Sequence, residues 1–130
     1  MRILLAEDDY VTRKFMIGFL SKYGECDVTV DGMEAGDAFM MALEDEEPYD
    51  LVCLDIMMPV MDGYQALMGI RNLEKERGIL EKDGVKIIMT TALNDEQNVK
   101  MAFDLGCTVY SGKPIDQDKF EQVLVKFGLI

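Results

Sequence analysis

The chain reads as an α/β protein built on a five-stranded, parallel, doubly wound sheet. Three observations lead there. Five short apolar runs alternate with five helical patterns, an order that gives a parallel sheet covered on both faces. The central run, Leu51, Val52, Cys53 and Leu54, is unbroken and stops at Asp55, as a strand buried on both faces does. Four of the runs end in polar residues of particular kinds, at the sheet edge where such folds place their chemistry.

The elements follow in order. Residues 3–6 form a buried strand that meets Glu7, Asp8 and Asp9 at once. Residues 10–23 carry Val11, Phe15, Ile17 and Leu20 in a mainly helical pattern, with Gly24 as its C-cap. In residues 26–30, Val28 and Val30 alternate against Asp27 and Thr29, the pattern of an edge strand. Asp31-Gly32 turns into a helix over 33–44, with Ala35, Ala38, Phe39, Ala42 and Leu43 inward. The acidic run 44–47 and Pro48 end it. The strand ending at Asp55 follows, and Met58-Pro59 and Asp62-Gly63 break the chain into a loop. Residues 63–77 form a third helix with Ala66, Leu67, Ile70 and Leu73 inward, and 78–84 a polar loop. Residues 85–89 are the fourth strand. Asn94, with Asp95 and Glu96 behind it, starts a helix that runs to Leu105 and stops at Gly106. Residues 107–111 are the fifth strand. Asp116 caps a last helix with Phe120, Val123, Leu124 and Phe127 inward.

Composition narrows the function. A chain of 130 residues that is 49% hydrophobic suits one domain, residues 1–130, with a sizeable core. Lys and Arg number 13 against 25 Asp and Glu, a net charge of −12. That charge repels nucleic-acid phosphates and anionic membranes, so no direct nucleic-acid contact and no membrane insertion are expected. It suits divalent cations or basic protein patches. Cys26, Cys53 and Cys107 lie in apolar runs and read as reduced core residues of a cytoplasmic protein. The absence of histidine excludes imidazole ligands and histidine general bases. The first apolar run is too short for a signal peptide or a membrane span.

The polar strand ends make one constellation. The first strand ends in Asp8-Asp9, the third in Asp55, the fourth in Thr90-Thr91, and the fifth is followed by Lys113-Pro114. Three gathered carboxylates repel without a cation, and a few hard oxygens suit Mg²⁺, which keeps waters and pairs with phosphate oxygens. A hydroxyl and an ammonium nearby are donors for added negative charge. The set is a place to put a phosphoryl group on, or beside, a carboxylate.

With these residues the chain resembles the receiver domains of two-component response regulators, of the chemotaxis-regulator-like kind. The carrying motifs are Leu5-Ala6-Glu7-Asp8-Asp9, Asp55-Ile56-Met57-Met58-Pro59-Val60-Met61-Asp62-Gly63, Thr91-Ala92, Tyr110 and Lys113-Pro114. The resemblance implies a flavodoxin-like sheet of strand order 2-1-3-4-5. It implies that Asp55 is the phosphoacceptor and that Asp8, Asp9 and Asp55 hold Mg²⁺ with the Met57 backbone carbonyl. It implies that Thr91 and Lys113 bind phosphoryl oxygens, that Tyr110 is the aromatic whose rotamer tracks activation with Thr91, and that the Lys113–Pro114 bond is cis. The implied protein is a signalling switch rather than an ordinary enzyme. It promotes its own phosphorylation by a sensor histidine kinase or phosphotransfer protein, and its own dephosphorylation. It acts on a downstream target through the face made by the fourth helix, fifth strand and fifth helix, and the resemblance leaves open a homodimer formed on phosphorylation. The stretch 71–84 is longer than the usual connection. The chain stops just after its fifth helix, so no output domain is expected within it; it is either a stand-alone regulator or the receiver of a longer one.

Three other readings fit these residues less well. An aspartyl-phosphate phosphatase of the haloacid dehalogenase type needs a second Asp two residues past the nucleophile, where this chain has Met57. A flavin module of the same fold needs a hydroxyl-rich phosphate loop after the first strand, where Glu7-Asp8-Asp9 would repel a phosphate. A phosphorylation-independent interaction domain has no need of the complete residue set. In receivers the residues two after the acceptor and two after the threonine flank the approach of the hydrolytic water. Here they are Met57 and Leu93, which cannot orient a water, so slow autodephosphorylation is expected.

Overall fold

All five residues of β3 (Leu51–Asp55) are buried, and the sheet is built outward from it. The computed structural model describes residues 1–92 and 96–130. Its strands are β1 (Arg2–Ala6), β2 (Glu25–Thr29), β3, β4 (Lys86–Thr91) and β5 (Val109–Gly112). They form one parallel sheet in the order β2-β1-β3-β4-β5, the order implied by the resemblance. Between them run α1 (Tyr10–Leu20), α2 (Gly32–Glu44), α3 (Gly63–Glu76), α4 (Glu96–Asp104) and α5 (Gln117–Lys126). Among the described residues no helix is long and apolar enough to cross a membrane.

Strand side chains alternate between faces, and the core divides accordingly. Leu4, Ala6, Val52, Leu54, Ile87 and Met89 pack under α2 and α3 with Phe39, Leu67 and Ile70. Ile3, Leu5, Leu51, Cys53 and Ile88 pack under α1 and α5 with Met16, Phe19, Leu20, Phe120 and Leu124. Phe19 of α1 meets Phe120 of α5 edge to face, with ring centroids 5.2 Å apart.

The helix starts are side-chain caps. Asp31 accepts the Glu34 N–H, Asp62 and Gln65 form a reciprocal capping box, and Asp116 accepts the N–H groups of Asp118 and Lys119. The expected start of α4 at Asn94 and Asp95 lies outside the described residues.

The structure departs from expectation in several places, among them α1, whose Val11 and Phe15 are exposed while Met16, Phe19 and Leu20 are buried, and β4, which runs Lys86–Thr91 rather than 85–89. First, α1 ends at Leu20, with Ser21 as its C-cap. Gly24 does not cap it; instead it lets the backbone pass Met1, whose carbonyl oxygen would stand 1.9 Å from a Cβ there. Second, β2 is the edge strand expected, but it runs from Glu25 to Thr29 rather than over 26–30. Val28 and Val30 are exposed and Thr29 is buried, because the Thr29 hydroxyl donates to the Leu5 carbonyl (3.1 Å) and Asp27 accepts from the Tyr49 hydroxyl (2.7 Å). Third, the polar loop 78–84 holds a single 3₁₀ turn, Glu81–Asp83. Fourth, β5 begins at Val109, since the Thr108 side-chain oxygen takes the Ile87 N–H (2.9 Å) before the ladder starts.

Candidate functional site

At the carboxyl edge of the sheet, β1 and β3 lie side by side with Leu5 opposite Cys53. Two residues further along each chain stand Glu7 and Asp55, on the face already occupied by Ile3, Leu5, Leu51 and Cys53. The β1 ladder continues past Ala6, since the Glu7 N–H donates to the Thr29 carbonyl (3.1 Å). Glu7 is 1% exposed and Asp55 4%, whereas Asp8 is exposed. Among the described residues, one carboxylate oxygen from each of Glu7, Asp8 and Asp55 lies within 4.8 Å of the other two.

The structure therefore brings Asp8 and Asp55 together, as expected, but the third carboxylate is Glu7 rather than Asp9. Asp9 is engaged as the N-cap of α1, where its carboxylate accepts the Thr12 N–H (2.9 Å) and hydroxyl (2.6 Å). Those two bonds hold its carboxyl below the usual range. Glu7 was missed because three acids in a row look alike in one dimension. The signal that separates Glu7 from Asp9 is the helix start: Asp9 stands just before the α1 pattern with Thr12 three residues on, the place of an N-cap, which leaves Glu7 and Asp8 for the site.

Lys113, just past β5, closes the group. Its Nζ lies 2.9 Å from Glu7 Oε2 and 3.3 Å from Asp55 Oδ1. The Lys113 N–H donates to the Thr91 carbonyl (2.8 Å), and the Lys113–Pro114 peptide is cis. Burial, and then the charge of Glu7, push the Asp55 carboxyl up to about 7, although the Lys113 ammonium pulls the other way. Burial alone would lower Lys113, but the hydrogen bond to Glu7 and the charges of Asp55 and Glu7 outweigh it and raise the ammonium. Three close carboxylates of mixed exposure, with room for water at Asp8, fit a hard divalent cation such as Mg²⁺.

Thr90 pairs with Asp55 across β3 and β4, and its hydroxyl faces the Leu54 carbonyl (3.4 Å). Thr91 is fully buried at the end of β4. Met89, two residues before it, pairs with Tyr110, so Thr91 and the half-buried Tyr110 share one side of the sheet. Met57 stands two residues past Asp55 and is 63% exposed. Leu93, its expected counterpart, lies outside the described residues. The loop that carries Met57 is pinned at Gly63. The Gly63 N–H donates to the Ile56 carbonyl (2.9 Å), and a Cβ there would come within 2.4 Å of the Asp55 carbonyl oxygen.

Comparison with known proteins names the family. Residues 3–125 match the model of the response regulator receiver domain. The chain belongs to that family. A receiver relative from rice, the two-component response regulator ORR41, is 32% identical over 132 residues, covering 99% of this chain and 95% of that protein. Rice probable histidine kinase 2 is 33% identical over 95% of this chain, which spans only 12% of the kinase. Among solved structures, the CheX–CheY–BeF₃–Mg²⁺ complex of Borrelia burgdorferi matches with a TM-score of 0.82 and 30% identity, covering 98% of this chain and 89% of that one. The co-crystal of the Saccharomyces cerevisiae histidine phosphotransfer protein Ypd1 with the receiver domain of the response regulator Ssk1 matches at 0.83 and 25%, covering 98% and 88%. This receiver is thus similar both to small response regulators and to segments of much larger kinases.

Proposed function

We propose that this receiver is a phosphorylation-controlled switch in which Asp55 takes a phosphoryl group from the phosphohistidine of a kinase or phosphotransfer protein. The observation that carries the reading is the Lys113 ammonium spanning the buried Glu7 and Asp55 carboxylates at the end of the central strand. In this reading Glu7, Asp8 and Asp55 hold Mg²⁺, with the Met57 carbonyl completing the set. The cation would supply charge compensation for the phosphoryl oxygens. An Asp55 oxygen attacks phosphorus as the bond from phosphorus to the imidazole nitrogen breaks. Lys113 moves its charge to the incoming phosphoryl oxygens, and Thr91 donates its hydroxyl to one of them. Tyr110, on the same side of the sheet as Thr91, follows that movement, and the face formed by α4, β5 and α5 carries the change to a protein target.

Incubation with Mg²⁺ and acetyl phosphate, read by intact mass, tests the reading. Wild type should gain the mass of one phosphoryl group, and Asp55→Asn should gain none. An unchanged gain in Asp55→Asn would remove Asp55 from its role.

A further inference from the structure

Arg13 stands one turn into α1, where its backbone N–H donates to the Asp9 carbonyl (2.8 Å). Helical side chains lean back toward the N-terminus, and the Arg13 guanidinium returns to the loop before the helix. Its Nη1 donates to the main-chain carbonyls of Glu7 (3.1 Å) and Asp8 (3.3 Å). Its guanidinium carbon lies 5.6 Å from the centroid of the Tyr10 ring, which backs it. A cation this close to a helix N-terminus opposes the helix dipole, so its position calls for a compensating role. Both of these bonds end on main-chain oxygens of residues whose side chains form the acidic group.

We propose that Arg13 is a positioning residue of the acidic site: by tying the Glu7 and Asp8 carbonyls together it fixes the angle at which their carboxylates face Asp55, and so raises the affinity for a divalent cation. The inference rests on the reading that Glu7, Asp8 and Asp55 hold Mg²⁺. Two effects of Arg13 have opposite signs. As a charge it repels Mg²⁺, so its removal would tighten binding. As a clamp it holds the ligands in place, so its removal loosens binding. The sign of the change therefore separates the two, and salt separates them again, because charge repulsion is screened and ligand geometry is not.

Calorimetric titration of the whole chain with MgCl₂ tests this, at about 0.1 M and about 0.5 M KCl. Arg13→Gln should bind Mg²⁺ about tenfold more weakly than wild type, in the range of ligand-supporting residues elsewhere, with the loss kept at the higher salt. Arg13→Lys, which keeps the charge but ends one atom short of the Nη1 position that reaches both carbonyls, should also bind more weakly. Lys14→Gln removes a neighbouring charge near the same Tyr10 ring (5.9 Å) and should bind as tightly as wild type or slightly tighter. Metal-free melting checks that each variant folds, and Arg13→Lys decides the matter if Arg13→Gln does not. Binding by the Arg13 variants as tight as wild type, or an equal loss in Lys14→Gln, overturns the positioning role alone. No Mg²⁺ binding by wild type overturns the acidic-site reading with it.

Discussion

Val60 holds a backbone conformation that its own side chain makes costly. Its φ of 66° lies in the left-handed region, where a β-branched residue is an outlier. The side chain is 76% exposed, so little packing is lost by changing it. Val60→Asn should raise stability by about 0.5–1 kcal/mol, measured by urea denaturation, because Asn tolerates this region; a loss would mean that the valine makes a contact worth more than the strain. Asp55 is the second residue working against the fold. Its carboxyl titrates near 7, above its ordinary 3.8, so the folded protein binds the proton more tightly than the unfolded chain does. Stability therefore falls as pH rises from about 4 through about 7 and levels off above. Asp55→Asn removes that slope while Lys113 keeps Glu7 as its partner. In metal-free buffer the variant should be about 1–3 kcal/mol more stable than wild type at pH 8, with the gain vanishing toward pH 4. Thermal melts across pH would expose the error if the two curves ran parallel. At this scale Asp55 and Lys113 were legible from their places at strand ends. Glu7 was not, because Asp9 first had to be recognised as the cap of α1.

The elements themselves were legible because apolar spacing and cap residues are local signals. What ties distant elements together is not local, and Arg71 illustrates it. From α3 its Nε donates to the Gly106 carbonyl beyond the end of α4 (2.9 Å), and its Nη1 pairs with Glu74 (2.7 Å). The buried Glu74 accepts the Val85 N–H (2.7 Å) at the end of the long connection before β4. One ion pair thus anchors three segments, and only the pairing of Arg71 with Glu74 is close enough in sequence to be guessed. Glu74→Ala strands the Arg71 charge and the buried Val85 N–H, so it should cost about 2–4 kcal/mol. Glu74→Gln keeps an acceptor for Val85 and should cost about half as much. Equal losses for the two, read by chemical denaturation, would put the weight on charge rather than on that hydrogen bond. The phase of β2 was hidden for a similar reason. Val28 and Val30 look like the inward pair until Thr29 is seen to find an acceptor on β1.

For the molecule as a whole, the alternation of strands and helices was enough to give two covered faces, while the order of the strands came from family likeness. The two faces are completed at different points along the chain. The face under α2 and α3 closes with neighbouring elements. The other is closed by α5, whose Phe120 and Leu124 cover the side of α1 that carries Met16, Phe19 and Leu20. During synthesis, about a hundred residues separate Phe19 from its edge-on partner, which at roughly 5–20 residues per second is a wait of about 5–20 s. Until α5 leaves the ribosome, the nascent chain presents a greasy strip with nothing to cover it. The growing chain is then at its stickiest, and the segment that ends the danger emerges about a hundred residues after the surface it covers.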